Sequence, residues 1–268
     1  MDSNFRFSSL INAVAAVGGV LSIGKSGGAA LPEPGESDVD IYVFCQDVPS
    51  QSVRQAVYDG LGDEVSESNA TDHEGVWGVC DFVTAHDTEV CLLYFTVARM
   101  TDEIEQVLRG ERLNKEEGYF YPTGRCATLL SMHPWVDKEG FIAGMKERLS
   151  YYPPDLSRAL VNYHVCRMNR DFEDFQRALF RKEVLFYHIT LENALDHFLQ
   201  ALFAANRIFF SSRKRMLQYL DKFTLKPDRC GERLLEAVRL GSDAETLGQS
   251  YAVWSALTKD FENMQSQS

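Results

Sequence analysis

Residues 20–44 read V-L-S-I-G-K-S-G-G-A-A-L-P-E-P-G-E-S-D-V-D-I-Y-V-F. A first apolar run ends in Gly24, and Asp38 and Asp40 lead into a second apolar run at 41–44. Alternate residues of an extended strand share a face, so we expect the carboxylates of Asp38 and Asp40 to point the same way. Neighbouring carboxylates repel each other, and a hard divalent cation bound between them commonly offsets this repulsion. The stretch therefore predicts a metal site at the start of a strand.

The same stretch resembles the nucleotidyltransferase superfamily, which includes the β-type DNA polymerases and the antibiotic nucleotidyltransferases. The family pattern is an apolar strand, a Gly-Ser turn, a spacer of about ten residues and Asp-x-Asp/Glu within a second strand. Here I-G-K-S is followed by the spacer 27–37 and by D-V-D-I-Y-V-F. Lys25 stands where close relatives more often have a small residue. The resemblance predicts a nucleotidyltransferase catalytic domain.

The resemblance also implies the chemistry and the residues that perform it. The reaction would be Mg²⁺-dependent transfer of a nucleoside monophosphate to a hydroxyl of a small molecule. The expected nucleotide is AMP, with ATP as its donor. Antibiotics such as aminoglycosides and lincosamides are acceptors of this kind. If this protein modified one of them, it would confer antibiotic resistance. Asp38 and Asp40 would bind the metal, and Gly24 and Ser26 would hold the β- and γ-phosphates. Lys25, although it departs from the family pattern, is a further candidate for binding the nucleotide from the turn.

A third acidic residue is expected on a nearby strand, and residues 89–97, E-V-C-L-L-Y-F-T-V, have the strand pattern. In polymerase-like members the acid lies within V-D-L, which puts Cys91 at that position. In aminoglycoside adenylyltransferases a strand that begins with Glu carries the catalytic base, and Glu89 matches that arrangement. We therefore predict Glu89 as the general base or as a ligand of a second metal, with Asp81 as the next choice.

The remaining pattern predicts an α+β fold. A helix is expected at 4–17, strands at 76–83 and 89–97, and a polar loop at 63–73. After residue 125 only helical segments are expected, and they are 125–132, 137–150, 155–180, 181–207, 212–222, 230–239 and 243–264. The predicted organisation is a small mixed-sheet nucleotidyltransferase domain, residues 1–135, followed by an all-α helical-bundle domain, residues 136–268.

A basic segment in the helical half is the second candidate for phosphate binding. Residues 204–217, A-A-N-R-I-F-F-S-S-R-K-R-M-L, resemble a basic helical segment in the second domain of these relatives. Lys214 is the best single candidate there for reaching the triphosphate, with Arg213 and Arg215 beside it. A solvated helix start is the alternative interpretation of the same residues.

Composition limits the classes of partner. The net charge is −12, from 27 basic and 39 acidic residues, which argues against non-specific binding of nucleic acid. No apolar run approaches the roughly 20 residues of a membrane span. The six cysteines show no metal-binding spacing, which is typical of free thiols in a reducing cytoplasm. We expect a cytoplasmic protein that binds a nucleoside triphosphate and a small hydroxyl-bearing acceptor; a homodimer is compatible with the sequence.

Two alternatives stay open at this point. The first is a non-catalytic relative, such as an antitoxin-like module that keeps the fold and binds a nucleotide or a partner. The second is a P-loop phosphotransferase, because residues 19–26, G-V-L-S-I-G-K-S, formally match the G-x-x-x-x-G-K-S pattern. The apolar loop and the prolines that follow it rank the P-loop lower, since a helix should begin there.

Overall fold

The structure is a computed structural model that describes residues 6–116 and 120–266. The chain forms two compact units. The sheet unit comprises the described residues of Met1–Gln106 and Lys115–Tyr151, and the helical unit comprises Val107–Asn114 and the described part of Tyr152–Ser268. None of the helices in the described part of the chain combines the length and the apolar character that a bilayer crossing requires.

Within the part of the chain that the structure describes, every strand lies before residue 138. The helices and strands are α1 (Ser8–Ala15), β1 (Val20–Lys25), β2 (Val39–Cys45), α2 (Gln51–Asp59), β3 (Val65–Asn69), β4 (Glu74–Gly75), β5 (Gly78–Ala85), β6 (Thr88–Thr96), α3 (Val97–Leu108), α4 (Pro122–Ser131), β7 (His133–Asp137), α5 (Phe141–Ser150), α6 (Pro154–Met168), α7 (Phe172–Arg181), α8 (Val184–Ala205), α9 (Met216–Leu220), α10 (Cys230–Leu240) and α11 (Leu247–Gln265).

The strands form one mixed sheet in the order β3-β5-β6-β2-β1-β7, and the short β4 pairs with β5. β2 runs parallel to β6, whereas the other strand pairs are antiparallel. A parallel pair needs a long crossover connection, and the chain between β2 and β6 supplies it through α2 and the β3–β5 strands. The predicted α+β class, a mixed-sheet unit followed by a helical unit, is confirmed.

The central strand β2 is buried on both faces from Ile41 onward. Ile41 and Val43 pack into the apolar core that includes α1. On the opposite face the Tyr42 ring stacks on Phe95 at a centroid distance of 5.9 Å, and Phe44 lies 4.9 Å from Phe141. Since both faces of the strand are covered beyond its first two residues, only its beginning can present polar groups to solvent.

Two expectations about the sheet were wrong, and both concern strands at its edges. The segment 63–73, expected as a loop, contains β3, a mostly exposed edge strand that lacks an apolar alternation. Only helical segments were expected after residue 125, but Pro134, between the predicted helices 125–132 and 137–150, lies in the strand β7, which pairs with β1 at the other edge of the sheet. Proline is tolerated on edge strands because one side of the strand needs no ladder donor.

The helical half also differs from the expected pattern at two points. The predicted helix 155–180 is two helices, α6 and α7, with a break at residues 169–171. The predicted limit near residue 135 divides the chain differently from the compact units, because β7 pairs with β1 and α5 packs on both strands. The sheet unit thus extends past residue 135 to Tyr151, whereas Val107–Asn114 belong to the helical unit.

Within the helical unit, α6 packs along the long helix α8 and encloses a pair of histidines. The Nδ1 atoms of His164 and His197 lie 2.9 Å apart, so one ring donates and the other accepts. His164 is fully buried. Burial, and then the neighbouring His197, lower the pKa of His164 to about 3, although the Asp196 carboxylate and the Leu113 backbone oppose the shift.

This depressed pKa predicts acid sensitivity of the helical unit. His164 of the folded chain stays neutral, whereas in the unfolded chain it binds a proton below about pH 6.5. Stability is therefore lost as the pH falls through that value, by up to about 1.4 kcal/mol per pH unit. Urea denaturation at several pH values between 7 and 5 measures the free energy of unfolding of the wild type and of His164→Gln. This free energy should fall less steeply with decreasing pH in the variant.

At pH 8 His164 is neutral in both the folded and the unfolded wild type. The difference in the free energy of unfolding between wild type and variant at pH 8 therefore reports the lost packing alone and serves as the reference. Parallel stability curves for the two proteins from pH 7 to pH 5 would contradict the prediction.

Candidate functional site

The two predicted metal ligands lie together with a cysteine at the open beginning of β2. One carboxylate oxygen each of Asp38 and Asp40 and the Sγ atom of Cys91 all lie within 4.8 Å of one another. The parallel register places Asp40 directly opposite Cys91, so both side chains leave the same face of the sheet. The structure thus brings Asp38 and Asp40 together as the sequence predicted, and beside them it places Cys91, the residue at the polymerase-like position of the third acid.

The turn that follows β1 adjoins this cluster. The backbone N–H of Ser26 donates to the carbonyl oxygen of Asp40 at 3.0 Å, which fixes the turn beside the strand that carries the carboxylates. Gly27 and Gly28 adopt φ angles of +73° and +89°, and nothing lies within 4 Å of where a Cβ would be. Such open glycine backbone can expose N–H groups to an anion.

Gly24 has a packing reason to be glycine. It is buried, and a Cβ at this position would lie 2.5 Å from the Met132 Sδ atom and 3.0 Å from the Ile142 Cδ1 atom. The close approach of residues at the end of α4 and the start of α5 therefore requires the absence of a side chain. Its nucleotide-binding role stays a prediction.

Lys25 is buried at the end of β1, and its ammonium group turns back to donate to the Ser26 carbonyl oxygen at 2.8 Å. Burial lowers the pKa of Lys25, and the Asp40 carboxylate opposes that shift. The Lys25 Nζ atom thus lies at the turn, on the side of the cluster where phosphate was predicted.

Glu89 lies at the exposed start of β6, two residues before Cys91 and on the same face. It pairs with Thr84 of β5. The group of ligand atoms within 4.8 Å contains Cys91 and does not contain Glu89, so the sulfur occupies the place next to Asp40. Glu89 is positioned at the edge of the cluster, where it could accept a proton from a neighbouring hydroxyl.

The Cys91 thiol is held in its neutral form. Burial first, and then the neighbouring carboxylates of Asp40 and Asp38, together raise the pKa of Cys91 to about 12. A neutral sulfur is a poor ligand for Mg²⁺, which prefers oxygen. The carboxylates of Asp38 and Asp40 fit Mg²⁺, whereas Cys91 does not extend that ligand set.

Asp81, the second choice for the third acid, lies on the opposite face of the sheet. It is fully buried and pairs with the Arg54 guanidinium. The Tyr58 hydroxyl donates to it at 2.7 Å and the Thr71 backbone N–H donates at 2.9 Å. The alternation of β5 turns this carboxylate away from Asp40, so its contacts are structural.

The buried contacts of Asp81 predict a stability effect. Asp81→Asn leaves the Arg54 charge buried without its counterion, which should lower the free energy of unfolding by about 3 kcal/mol. Urea denaturation monitored by circular dichroism measures the change. Asp63→Asn, at an exposed position, is the control and should change stability by less than about 0.5 kcal/mol. Equal stability of the two variants would contradict the structural role.

Two basic side chains of the segment 204–217 have different surroundings. Arg213 forms ion pairs with Glu192 and with the buried Asp196 of α8, so its charge supports the helical unit. Lys214 is exposed, and its backbone N–H donates to the Ser212 hydroxyl oxygen at 3.2 Å. The role of Lys214 at the triphosphate stays a prediction.

The P-loop alternative is wrong. Residues 20–25, which would form the phosphate-binding loop, are the strand β1, hydrogen-bonded to β2 on one side and β7 on the other. After Ser26 the chain runs through turns to β2 without the helix that a P-loop requires.

A protein family described as a domain of unknown function, DUF4037, matches residues 121–216. No curated protein matches the chain. Among solved structures, the chain is similar to the crystal structure of a nucleotidyltransferase-like protein from Exiguobacterium sibiricum 255-15, at 10% sequence identity and a TM-score of 0.49. That similarity covers 97% of this chain and 77% of the other.

The position of Cys91 predicts how the metal affinity can be raised. Cys91→Asp places a third carboxylate beside Asp38 and Asp40, which should tighten Mn²⁺ or Mg²⁺ binding about tenfold. Titration followed by Mn²⁺ electron paramagnetic resonance, with Mg²⁺ as competitor, measures it. Cys166→Asp is the matched control, because Cys166 is exposed on α6. The prediction fails if both variants bind the metal as the wild type does.

Proposed function

We propose that this protein is a Mg²⁺-dependent nucleotidyltransferase that transfers a nucleoside monophosphate, AMP from ATP in the first instance, to the hydroxyl of a small molecule. The observation that carries the proposal is the close grouping of Asp38 and Asp40 at the start of β2, next to a glycine-serine turn. A net charge of −12 favours a small acceptor over a nucleic acid.

Each group has a role in this proposal. Asp38 and Asp40 would hold Mg²⁺, which offsets negative charge on the phosphate oxygens. The turn of Ser26 and its neighbours would hold the β- and γ-phosphates through backbone N–H groups, and Lys25 adds a positive charge there. Glu89 would accept the proton of the acceptor hydroxyl.

The proposed reaction is an in-line displacement. The acceptor oxygen forms a bond to the α-phosphorus while the bond from that phosphorus to the bridging oxygen of pyrophosphate breaks. The hydroxyl proton passes to the Glu89 carboxylate and then to solvent. Pyrophosphate leaves with the electron pair of the broken bond.

A second function is favoured by one observation, the neutral sulfur of Cys91 where a third carboxylate would complete the metal site. A chain with two carboxylates can bind a metal–nucleotide complex without transferring the nucleotide. In that case the protein is a nucleotide-binding module, and it binds Mg·ATP without releasing pyrophosphate.

The proposed transfer depends on the charge of Asp40. Asp40→Asn should reduce pyrophosphate release from Mg·ATP, measured with a panel of hydroxyl-bearing acceptors, by about a hundredfold or more. The fold should persist, since the side chain lies outside the apolar core, and circular dichroism checks this.

Asp63→Asn, an exposed acid outside the cluster, should keep full activity. Full activity of Asp40→Asn would refute the proposal. Tight Mg·ATP binding by the wild type with no pyrophosphate release for any acceptor would favour the binding module.

A further inference from the structure

A groove with two exposed aromatic side chains adjoins the acid cluster on the same face of the sheet unit. Its volume is about 560 Å³, within the range of roughly 300–1,000 Å³ that is typical of ligand pockets. We call it the Trp77 groove; its lining includes Val76, Trp77, Cys80 and Phe82, with Thr71 and His73 at its polar edge. Trp77 is 44% exposed and Phe82 is 52% exposed, although both are large apolar residues.

The register of the sheet connects the groove to the acids. Phe82 of β5 pairs with Cys91 of β6, and Cys91 pairs with Asp40 of β2. Directly paired residues share a face, so Phe82, Cys91 and Asp40 form one row across three strands. The Trp77 groove therefore begins one strand away from the cluster, on the side opposite to the turn at Ser26.

Two arginines hydrogen-bond to the backbone that forms the wall of the groove. Arg99 donates to the Gly75 carbonyl oxygen at 2.8 Å, and Arg125 donates to the Val76 carbonyl oxygen. The Trp77 ring meets the buried Phe120 ring edge-on at a centroid distance of 5.1 Å. An aromatic surface that is fixed in this way binds a flat partner with little loss of conformational entropy.

We propose that the Trp77 groove binds the acceptor, and that the acceptor is a flat aromatic molecule with a hydroxyl at the end nearest Cys91. This inference rests on the proposed function. In an in-line displacement the attacking and leaving oxygens lie on opposite sides of the phosphorus. Because the turn at Ser26 lies on the β1 side of the acids, the attacking hydroxyl enters from the β6 and β5 side, where the groove lies.

The polar groups of the groove determine the class of acceptor. The Thr71 hydroxyl already donates to the Cys80 carbonyl oxygen at 2.9 Å, and the Cys80 thiol contacts the Trp77 carbonyl oxygen. A sugar or aminocyclitol has many hydroxyls that need partners, and these side chains offer few. An aromatic ring system needs only the faces of Trp77 and Phe82.

The experiment follows the Trp77 indole N–H in ¹⁵N-labelled protein, with neither metal nor nucleotide present. The chain has three tryptophans, and Trp77→Phe assigns the relevant signal. The probe is 7-hydroxycoumarin, a flat aromatic alcohol, and glucose is the polyol control. We expect a saturable shift of the Trp77 signal with 7-hydroxycoumarin and none with glucose at equal concentration.

Matched variants separate the groove from the rest of the surface. Phe82→Ala should weaken 7-hydroxycoumarin binding about tenfold. Phe180→Ala, at a position that is 89% exposed in the helical unit, should leave the binding unchanged. No shift of the Trp77 signal, or equal binding by the two variants, would overturn the inference.

Two further measurements keep this inference distinct from the proposed function. Asp40→Asn should bind 7-hydroxycoumarin as the wild type does, and Phe82→Ala should bind Mg·ATP as the wild type does. If Mg·ATP displaces 7-hydroxycoumarin and Phe82→Ala weakens Mg·ATP binding, the groove holds the nucleobase and the inference about the acceptor is wrong. Loss of transfer chemistry alone, with the Trp77 shift intact, would count against the proposed function only.

Discussion

The parallel pairing of β2 with β6 is the constraint on which the candidate site depends. This pairing puts Asp40 opposite Cys91. The antiparallel pairing of β5 with β6 puts Phe82 opposite Cys91 on the other side. A one-residue slip would turn Asp40 into the apolar core and bring Val39 to the open face. The burial of Ile41 and Val43 on the core face makes that slip costly, so the apolar interior of the strand fixes the position of the polar end.

The electrostatics of the cluster follow from the replacement of a carboxylate by a thiol. Two carboxylates balance the charge of one divalent cation, and the neutral Cys91 sulfur adds nothing. A further cation would need a counter-charge of its own, and the phosphates of a nucleoside triphosphate carry one. Metal and nucleotide are therefore expected to bind this site together, with the Lys25 ammonium on the phosphate side.

The sequence was informative where a local pattern determines the structure. The pair of carboxylates and the strands around them follow from alternation within one segment, and the α+β class follows from the separation of strands and helices along the chain. The place of Cys91 beside Asp40, by contrast, depends on a register between strands that are distant in sequence. The edge strands β3 and β7 were missed because an exposed edge needs no apolar alternation, and because Pro134 is tolerated there.

Arg125 of α4, a helix within the sheet unit, contributes to the groove without supplying an acid. This buried guanidinium lies over the Phe95 ring at 4.5 Å and the Phe120 ring at 4.8 Å, and it donates to the Val76 carbonyl oxygen. A buried cation is costly unless rings and acceptors surround it. Its contacts thereby order the turn that presents Trp77. Because Arg125 lies within the segment matched by DUF4037 while Asp38 and Asp40 lie outside it, that family segment contains a support of the groove rather than the two clustered carboxylates.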